Sequence, residues 1–144
     1  MNDPAKLTPE ARALYYAHQA ALEAEGIEAR PTCTLRTLAE QTALYAQGRQ
    51  PLEVVNNLRK VAGLWPITEA ENRKKVTGTM HSRHLAGEDG LSRAYDLVII
   101  KNGTASWDPS DYMRAAEIGR ALGLDCGAFW ERPDFPHFQL PDAA

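Results

Sequence analysis

The chain has 144 residues, of which 44% are hydrophobic and 24% are charged, and its formal net charge is −3. These proportions are ordinary for a globular protein, and the length favours one domain over residues 1–144 that needs no disulfide staples. The slightly acidic pI, near 5.8, argues against a nucleic-acid partner, which would select clustered Lys and Arg. No apolar run has the ~18 residues of a membrane span, so we expect no membrane insertion.

The first predicted element is a helix. Thr8-Pro9-Glu10 is a typical helix start, with a hydroxyl N-cap, Pro at the first position and an acid near the positive helix end. Gly26 can end this helix. His18 falls on its mostly apolar stripe, and no second metal-binding residue type lies one turn away. We therefore interpret His18 as a packed core histidine.

A short strand is predicted next, over residues 31–35, and Arg36 stands at its end. Thr37 and Glu40 form a capping box for the following helix, which carries Gln41. The junction between a strand end and a helix start is a common place for site residues. From the residues alone, Arg36 either serves a site or merely pairs with Glu40.

The rest of the chain contains further predicted elements of both kinds. They are a helix over 51–63, a polar connecting arm over 66–76, the clearest strand over 94–100, an Asn-Gly turn at 102–103, a long helix beginning at Asp108-Pro109, and an aromatic, Pro-rich strand region over 129–140. Because helices and strands do not alternate strictly, this order predicts an α+β fold with helices packed on a small antiparallel or mixed sheet.

Two stretches carry residues of the types that bind zinc. His84 and Asp96 belong to the first, and Asp134 and His137 to the second. A catalytic zinc site commonly uses two His and one carboxylate and leaves a position for water, whereas a structural site uses four ligands, often Cys. We therefore predict a metal on His84, Asp96 and His137, with Asp134 as general base.

The spacing alone leaves other interpretations open. Asp96 can form an ion pair with Arg93 or Arg36 in place of binding a metal. Cys33 and Cys126 are distant and lack C-x-x-C spacing, so each is interpreted as a small buried hydrophobe, with a disulfide between them left open.

Four ordered motifs resemble the zinc D-Ala-D-Ala carboxypeptidase family, which includes VanY-type carboxypeptidases and phage L-alanyl-D-glutamate endopeptidases (endolysins). They are LRTLAEQTALYAQGR at 35–49, SRHLAG at 82–87, AYDL at 94–97 and DFPHF at 134–138. With Trp107 and residues 119–130, the resemblance extends from about residue 34 to residue 140.

The resemblance implies a hedgehog/DD-peptidase-like fold with the zinc site at the sheet edge. Zinc would be held by His84, Asp96 and His137, and Asp134 would be the catalytic base. Arg36 would contact substrate or stabilise the oxyanion. Three residues are given lesser roles: Ser82 near the substrate or as a turn hydroxyl, Gln41 behind the site or in helix packing, and Trp130 in the core, outside the site.

The implied partner is peptidoglycan, and the implied reaction is hydrolysis of the L-Ala–D-Glu bond in its stem peptides by a monomeric enzyme. A short chain without a signal peptide favours a phage endolysin that stays cytoplasmic until the membrane is permeabilised. Two alternatives remain, a D,D- or L,D-carboxypeptidase that trims terminal D-Ala and a non-catalytic zinc-stabilised wall-binding module.

The chain departs from the family pattern in two places. His84 and Asp96 are twelve residues apart, whereas the family spacing is usually seven. The extra residues fall within 88–92, so Glu88 or Asp89 could be the ligand, but only Asp96 begins a convincing buried strand. Cys126 stands where many relatives carry Trp, which we expect to alter packing alone.

Overall fold

The computed structural model describes residues 1–142. Within these residues the helices are α1 (Pro9–Ala24), α2 (Leu38–Ala46), α3 (Leu52–Val61), α4 (Glu69–Asn72) and α5 (Pro109–Ala121). The strands are β1 (Glu28–Cys33), β2 (Ala94–Lys101), β3 (Thr104–Ser106), β4 (Asp125–Cys126) and β5 (His137–Gln139). Short 3₁₀ turns cover Pro4–Lys6 and Gly127–Phe129.

The strands form one sheet in the order β1-β2-β5-β4, and β3 also pairs with β2. Every pairing between these strands is antiparallel. The predicted α+β class is confirmed, with the sheet antiparallel. Because β2 is the long central strand, side chains on its neighbours can meet above it.

Helix starts follow the sequence signals. Thr8 Oγ1 accepts the Ala11 N–H at 3.1 Å at the start of α1. At the start of α2 the Thr37 N–H donates to Glu40 Oε1 at 2.9 Å, and the Glu40 N–H donates to Thr37 Oγ1 at 3.1 Å. These predicted caps are confirmed because capping depends on neighbours in the chain.

Strand β1 begins at Glu28, three residues before the predicted start at residue 31. Its first residues have weak strand propensity, yet Glu28, Ala29 and Arg30 pair with Ile100, Ile99 and Val98 of β2. Pairing with a long apolar strand overrides local propensity here.

Helices α1 and α5 cover one face of the sheet, and the core lies between the two layers. Its largest fully buried side chains include Tyr95, Leu97, Ile99 and Phe138. His18 is fully buried in this core, where its Nε2–H donates to the Ala115 carbonyl at 2.9 Å and its Nδ1 accepts from the Tyr95 hydroxyl at 2.8 Å. The interpretation of His18 as a core residue is confirmed.

Helices α2, α3 and α4 form an arm at the end of the sheet. Gln47 Nε2 donates to the carbonyls of Glu71 at 3.0 Å and Lys74 at 3.2 Å, which holds the end of α2 against α4 and the segment that follows it. That segment then passes along the wall of the cleft described below. Among the described residues, no helix combines the length and apolarity needed to cross a bilayer.

Candidate metal centre

Three residues with metal-binding side chains lie side by side across the sheet. Asp96 on β2 is paired in register with Cys33 on β1 and with His137 on β5. Residues paired across antiparallel strands share a face, so the three side chains leave the sheet on the same side. On the opposite face of β2, Tyr95 and Leu97 enter the core.

His84 reaches the same place from the loop before β2. Its backbone carbonyl accepts the Arg36 N–H at 2.9 Å. Its ring Nδ1–H donates to the Thr34 carbonyl at 2.8 Å, and the side chain is only 2% exposed. In the neutral ring this leaves the Nε2 lone pair aimed at Asp96 Oδ1, 3.1 Å away.

A hydrogen bond to its other ring nitrogen likewise orients His137. Its Nε2–H donates to Gln139 Oε1 at 2.8 Å, while Gln139 Nε2 donates to Asp125 Oδ2 at 3.2 Å. Because Asp125 receives the amide nitrogen, the amide oxygen of Gln139 must face His137. The Nδ1 lone pair of neutral His137 is thereby aimed at Asp96 Oδ1, 3.2 Å away.

Two imidazole lone pairs thus converge on one carboxylate oxygen, an arrangement that is repulsive unless a positive charge lies among them. Two His nitrogens and a carboxylate match the donor set of a catalytic zinc site, and each His has the partner on its other nitrogen that metal ligands usually have. The residues present therefore fit a metal ion.

Without a metal, protonation of an imidazole has to supply this positive charge. Burial lowers the pKa of His84, but the hydrogen bond and charge of Asp96, with a smaller contribution from Cys33, outweigh it and raise this pKa to about 10. Burial raises the pKa of Asp96, but its contacts with His137 and His84 outweigh burial and hold it well below its usual range. A metal would compete with these protons.

Asp134 lies beside this group. Its Oδ2 is 4.0 Å from His137 Nδ1, and its side chain is 53% exposed. Partial burial is the main cause that raises its pKa, and the charge of Asp96 raises it further. Gly127 packs under it so closely that a Cβ would collide with the Asp134 carbonyl. A half-exposed carboxylate with a raised pKa, held by its backbone, suits a general base.

Arg36 is held at the wall of the site. It donates from Nη1 to Gln41 Oε1 at 2.8 Å and from Nη2 to Cys33 Sγ at 3.4 Å. Within residues 1–142 its buried Nε has no hydrogen-bond partner. Glu40 caps α2 instead of pairing with Arg36, and Gln41, fully buried, orients the guanidinium from behind.

Ser82 lines the cleft, but its hydroxyl has a local role. Ser82 Oγ accepts the backbone N–H of His84 at 3.1 Å, so it stabilises the turn that carries this histidine. This contact matches the turn-hydroxyl interpretation.

The extra residues between His84 and Asp96 form an exposed turn. Asp89 pairs with Arg93 at 3.3 Å and accepts the Leu91 N–H at 3.0 Å, away from the histidines. Gly90 takes the left-handed conformation, with φ of +75°, that this turn requires. The structure thus places Asp96 beside the two histidines. Asp89 and its partner Arg93 lie away from them.

Comparison with known proteins gives a consistent result. The chain is 26% identical to the peptidoglycan L-alanyl-D-glutamate endopeptidase CwlK of Bacillus subtilis over 147 aligned positions, covering 95% of this chain and 75% of that protein. The crystal structure of the Serratia marcescens L-Ala D-Glu endopeptidase ChiX superposes with a TM-score of 0.60 at 19% identity, over 96% of this chain and 83% of that one. No family model matches the chain.

The likeness to CwlK and ChiX supports the peptidase family that the four motifs resemble. The structural likeness to ChiX confirms the predicted fold. Since both matches cover nearly the whole chain, they include the helical arm as well as the sheet.

The candidate site contains a residue that the sequence analysis placed elsewhere. Cys33, interpreted as a packed hydrophobe, is buried, but its Sγ and the ligand atoms of His84 and Asp96 all lie within 4.8 Å of one another. Both Cys33 and Cys126 are free thiols. A register irregularity in β1 between Pro31 and Cys33 precedes the pairing with Asp96, and spacing alone does not reveal it.

Trp130 also departs from the interpretation, which placed it in the core. Its ring lines the cleft 5.1 Å from the ring of His137, and its Nε1–H donates to Asp125 Oδ1 at 2.8 Å. Phe138, in contrast, is fully buried. Asp125 therefore holds both the Trp130 wall and, through Gln139, the ring of His137.

His84, Asp96 and His137 line a cleft of about 940 Å³ between the sheet edge and the arm. Its walls carry five cationic side chains: Arg36, Arg49, Lys75, Arg83 and Arg132. The acids in the wall are Asp96 and Asp134, both at the site itself. The rim is thus positively charged even though the whole chain is slightly acidic.

Proposed function

We propose that this protein is a zinc metallopeptidase that hydrolyses the L-Ala–D-Glu bond of peptidoglycan stem peptides. The convergence of two imidazole lone pairs on Asp96, with Asp134 4.0 Å from His137, carries the proposal. The activity named for CwlK and ChiX supports the choice of bond.

The proposed ligands are His84 through Nε2, His137 through Nδ1, and Asp96. Zinc suits this set because imidazole and carboxylate donors are common at its catalytic sites. When bound there, zinc would polarise the peptide carbonyl and make a water molecule more acidic. His84 and His137 are already oriented by Thr34 and Gln139, so little ordering is left for the metal to impose.

Asp134 would take the proton of the attacking water and return it to the leaving amine. Its raised pKa favours this role, because a carboxylate whose pKa lies nearer neutral pH accepts the proton of the attacking water more readily. The proposed role of Arg36 is to offer positive charge to the carbonyl oxygen as negative charge develops. Its guanidinium is anchored by Gln41, so it would not need to be ordered during the reaction.

The cationic rim supports an anionic substrate. Stem peptides carry free carboxylates on D-Glu and on the diamino acid beyond it. Lys75 and Arg132 line the cleft with exposed side chains, where they can meet such carboxylates. Since all the proposed site residues come from one chain, we propose that the enzyme acts as a monomer.

A carboxypeptidase that removes terminal D-Ala is the second candidate, because the same cationic rim could also hold a free terminal carboxylate. A role in phage lysis, which the sequence analysis favoured, stays a prediction, since CwlK and ChiX are bacterial proteins. The chemistry proposed is the same in either setting.

Mass spectrometry of a peptidoglycan digest tests the proposal. Purified peptidoglycan is incubated with the protein, with the protein plus a chelator, and with the chelated protein after zinc is restored. We expect new D-Glu N-termini and stems shortened to L-Ala, lost on chelation and regained with zinc. Release of D-Ala alone would identify the carboxypeptidase, and a folded, zinc-loaded protein that cleaves nothing would leave a wall-binding module.

A further inference from the structure

We propose that Cys33 is a fourth protein donor to the metal and competes with the reacting water for its open position. The inference rests on the metal site of the proposed function. It assigns that site two forms, a closed one with the Cys33 thiolate bound and an open one with water in its place.

Distance is the first argument. Cys33 Sγ and the ligand atoms of His84 and Asp96 lie within 4.8 Å of one another. Donor atoms on one tetrahedral ion with ligand distances of about 2.0–2.3 Å lie about 3.3–3.8 Å apart, so one ion can bind the three atoms once they move closer together. Cys33 is also paired in register with Asp96, so the sheet itself holds the two side chains together.

Charge is the second argument. Arg36 Nη2 donates to Cys33 Sγ at 3.4 Å, so the sulfur already has a guanidinium beside it. The thiolate is the form of cysteine that binds metals, and this guanidinium can balance its charge once the metal is bound. On binding, the thiol proton would leave to solvent through the open cleft.

Cys126 provides the contrast within the same chain. It is equally buried, but its thiol donates to the Ala116 carbonyl at 3.4 Å, in the core. Burial is the main cause that raises the pKa of Cys126 to about 12. The two cysteines thus share burial and differ in their surroundings.

A closed set of Cys33, His84, Asp96 and His137 resembles a structural zinc site, which has no place for water. The thiolate would therefore hold the metal tightly and keep the enzyme slow until substrate displaces the sulfur.

Cobalt spectroscopy tests the inference without relying on activity. The metal-free protein is titrated with Co²⁺, and spectra are compared for the wild type, Cys33→Ser and Cys126→Ser. We expect a near-ultraviolet sulfur-to-cobalt charge-transfer band in the wild type and Cys126→Ser that is lost in Cys33→Ser. The visible d–d bands of bound Co²⁺ should persist in all three.

The outcomes separate this inference from the proposed function. Visible cobalt bands without a charge-transfer band in the wild type would overturn the role of Cys33 and leave the peptidase proposal intact. Failure of the wild type to bind Co²⁺ or Zn²⁺ would overturn both. If Cys33→Ser does not fold, the rate at which Cys33 is alkylated is measured in the wild type instead. Alkylation at the same rate with and without zinc would contradict the inference.

Competition with water adds a kinetic expectation. At saturating zinc Cys33→Ser should hydrolyse peptidoglycan faster than the wild type, while its zinc affinity falls by about tenfold or more, as for other groups that support a metal. A slower, fully zinc-loaded Cys33→Ser would show that the thiolate does not compete with water.

Discussion

At the scale of single residues, Asp96 organises the site. Its Oδ1 faces His84 Nε2 and His137 Nδ1, and Cys33 lies opposite it on β1. Its side chain is only 20% exposed, so its charge has to be balanced by neighbours. Asp134, 53% exposed, can exchange protons with water. The two carboxylates are therefore suited to different tasks, metal binding for Asp96 and proton transfer for Asp134.

The role of Asp134 predicts a selective defect. Asp134→Asn should keep zinc, because Asp134 is not a proposed ligand, yet lose about 10²- to 10⁴-fold in kcat/KM, since an amide cannot accept the proton. Zinc content and turnover are measured on the same sample. Loss of zinc together with activity would instead make Asp134 a ligand.

The position of the inserted turn predicts a difference between two aspartates. Asp96→Asn should weaken zinc binding, because an amide oxygen carries no charge to attract the ion, whereas Asp89→Asn should leave it unchanged. Asp89 is a matched control, since it also pairs with a cationic side chain but lies on the exposed turn. Chelator competition gives both affinities. The reverse result would place the metal at the turn.

At the scale of elements, β5 shows how a three-residue strand serves both the core and the site. Successive side chains alternate between faces, so His137 and Gln139 face the site while Phe138 enters the core. Asp125 fixes the orientation of the Gln139 amide, and Gln139 in turn orients the ring of His137 on the same strand. One element thus holds a proposed ligand and the group that orients it.

This arrangement predicts that Gln139→Ala lowers zinc affinity by about 10- to 100-fold, the range typical for groups that orient metal ligands. Gln47→Ala is the matched control, because Gln47 is 6% exposed, like Gln139, but its hydrogen bonds lie within the helical arm. Both variants should lose some stability, and only the first should lose zinc in a chelator competition. An equal loss of zinc in both would reduce the role of Gln139 to packing.

At the scale of the whole molecule, His18 joins the two layers. It lies on α1 and bonds Tyr95 of β2 and the Ala115 carbonyl of α5. Burial lowers its pKa, and the hydrogen bond to Ala115 offsets only part of this effect. The layers are therefore packed around an uncharged histidine.

The sign of that shift predicts how stability depends on pH. The folded-state pKa of His18 lies below the value of about 6.5 expected in the unfolded chain. Its contribution to stability is therefore complete above about pH 6.5 and is lost as pH falls below it, because the unfolded chain gains the proton first. Metal-free His18→Gln should lose less stability than metal-free wild type between about pH 7.5 and pH 5.

Urea unfolding in the presence of a chelator measures this difference. His84 titrates in both proteins, so its effect cancels when the two slopes are compared. A variant that loses as much stability as the wild type over this range would show that His18 does not titrate as inferred.

Features that depend on near neighbours along the chain are predicted correctly from the residues. Caps at Thr8 and Thr37 form where predicted, because each bonds residues within one helical turn. Asp96 was distinguished from Asp89 because only Asp96 begins an apolar strand. The four ordered motifs also predicted the resemblance to the peptidase family. These signals survive folding because they are local or because they are patterns along the chain.

The surroundings of the proposed donor atoms depend on long-range contacts that form on folding. The place of Cys33 depends on the pairing register of β1 with β2, between residues 63 positions apart in the chain. The place of Trp130 depends on Asp125, which also anchors Gln139 behind His137. Side-chain surroundings of this kind arise from long-range pairing, whose register no residue spacing reveals. The sequence therefore predicted the donors, and folding determined which atoms they present and what else lies beside them.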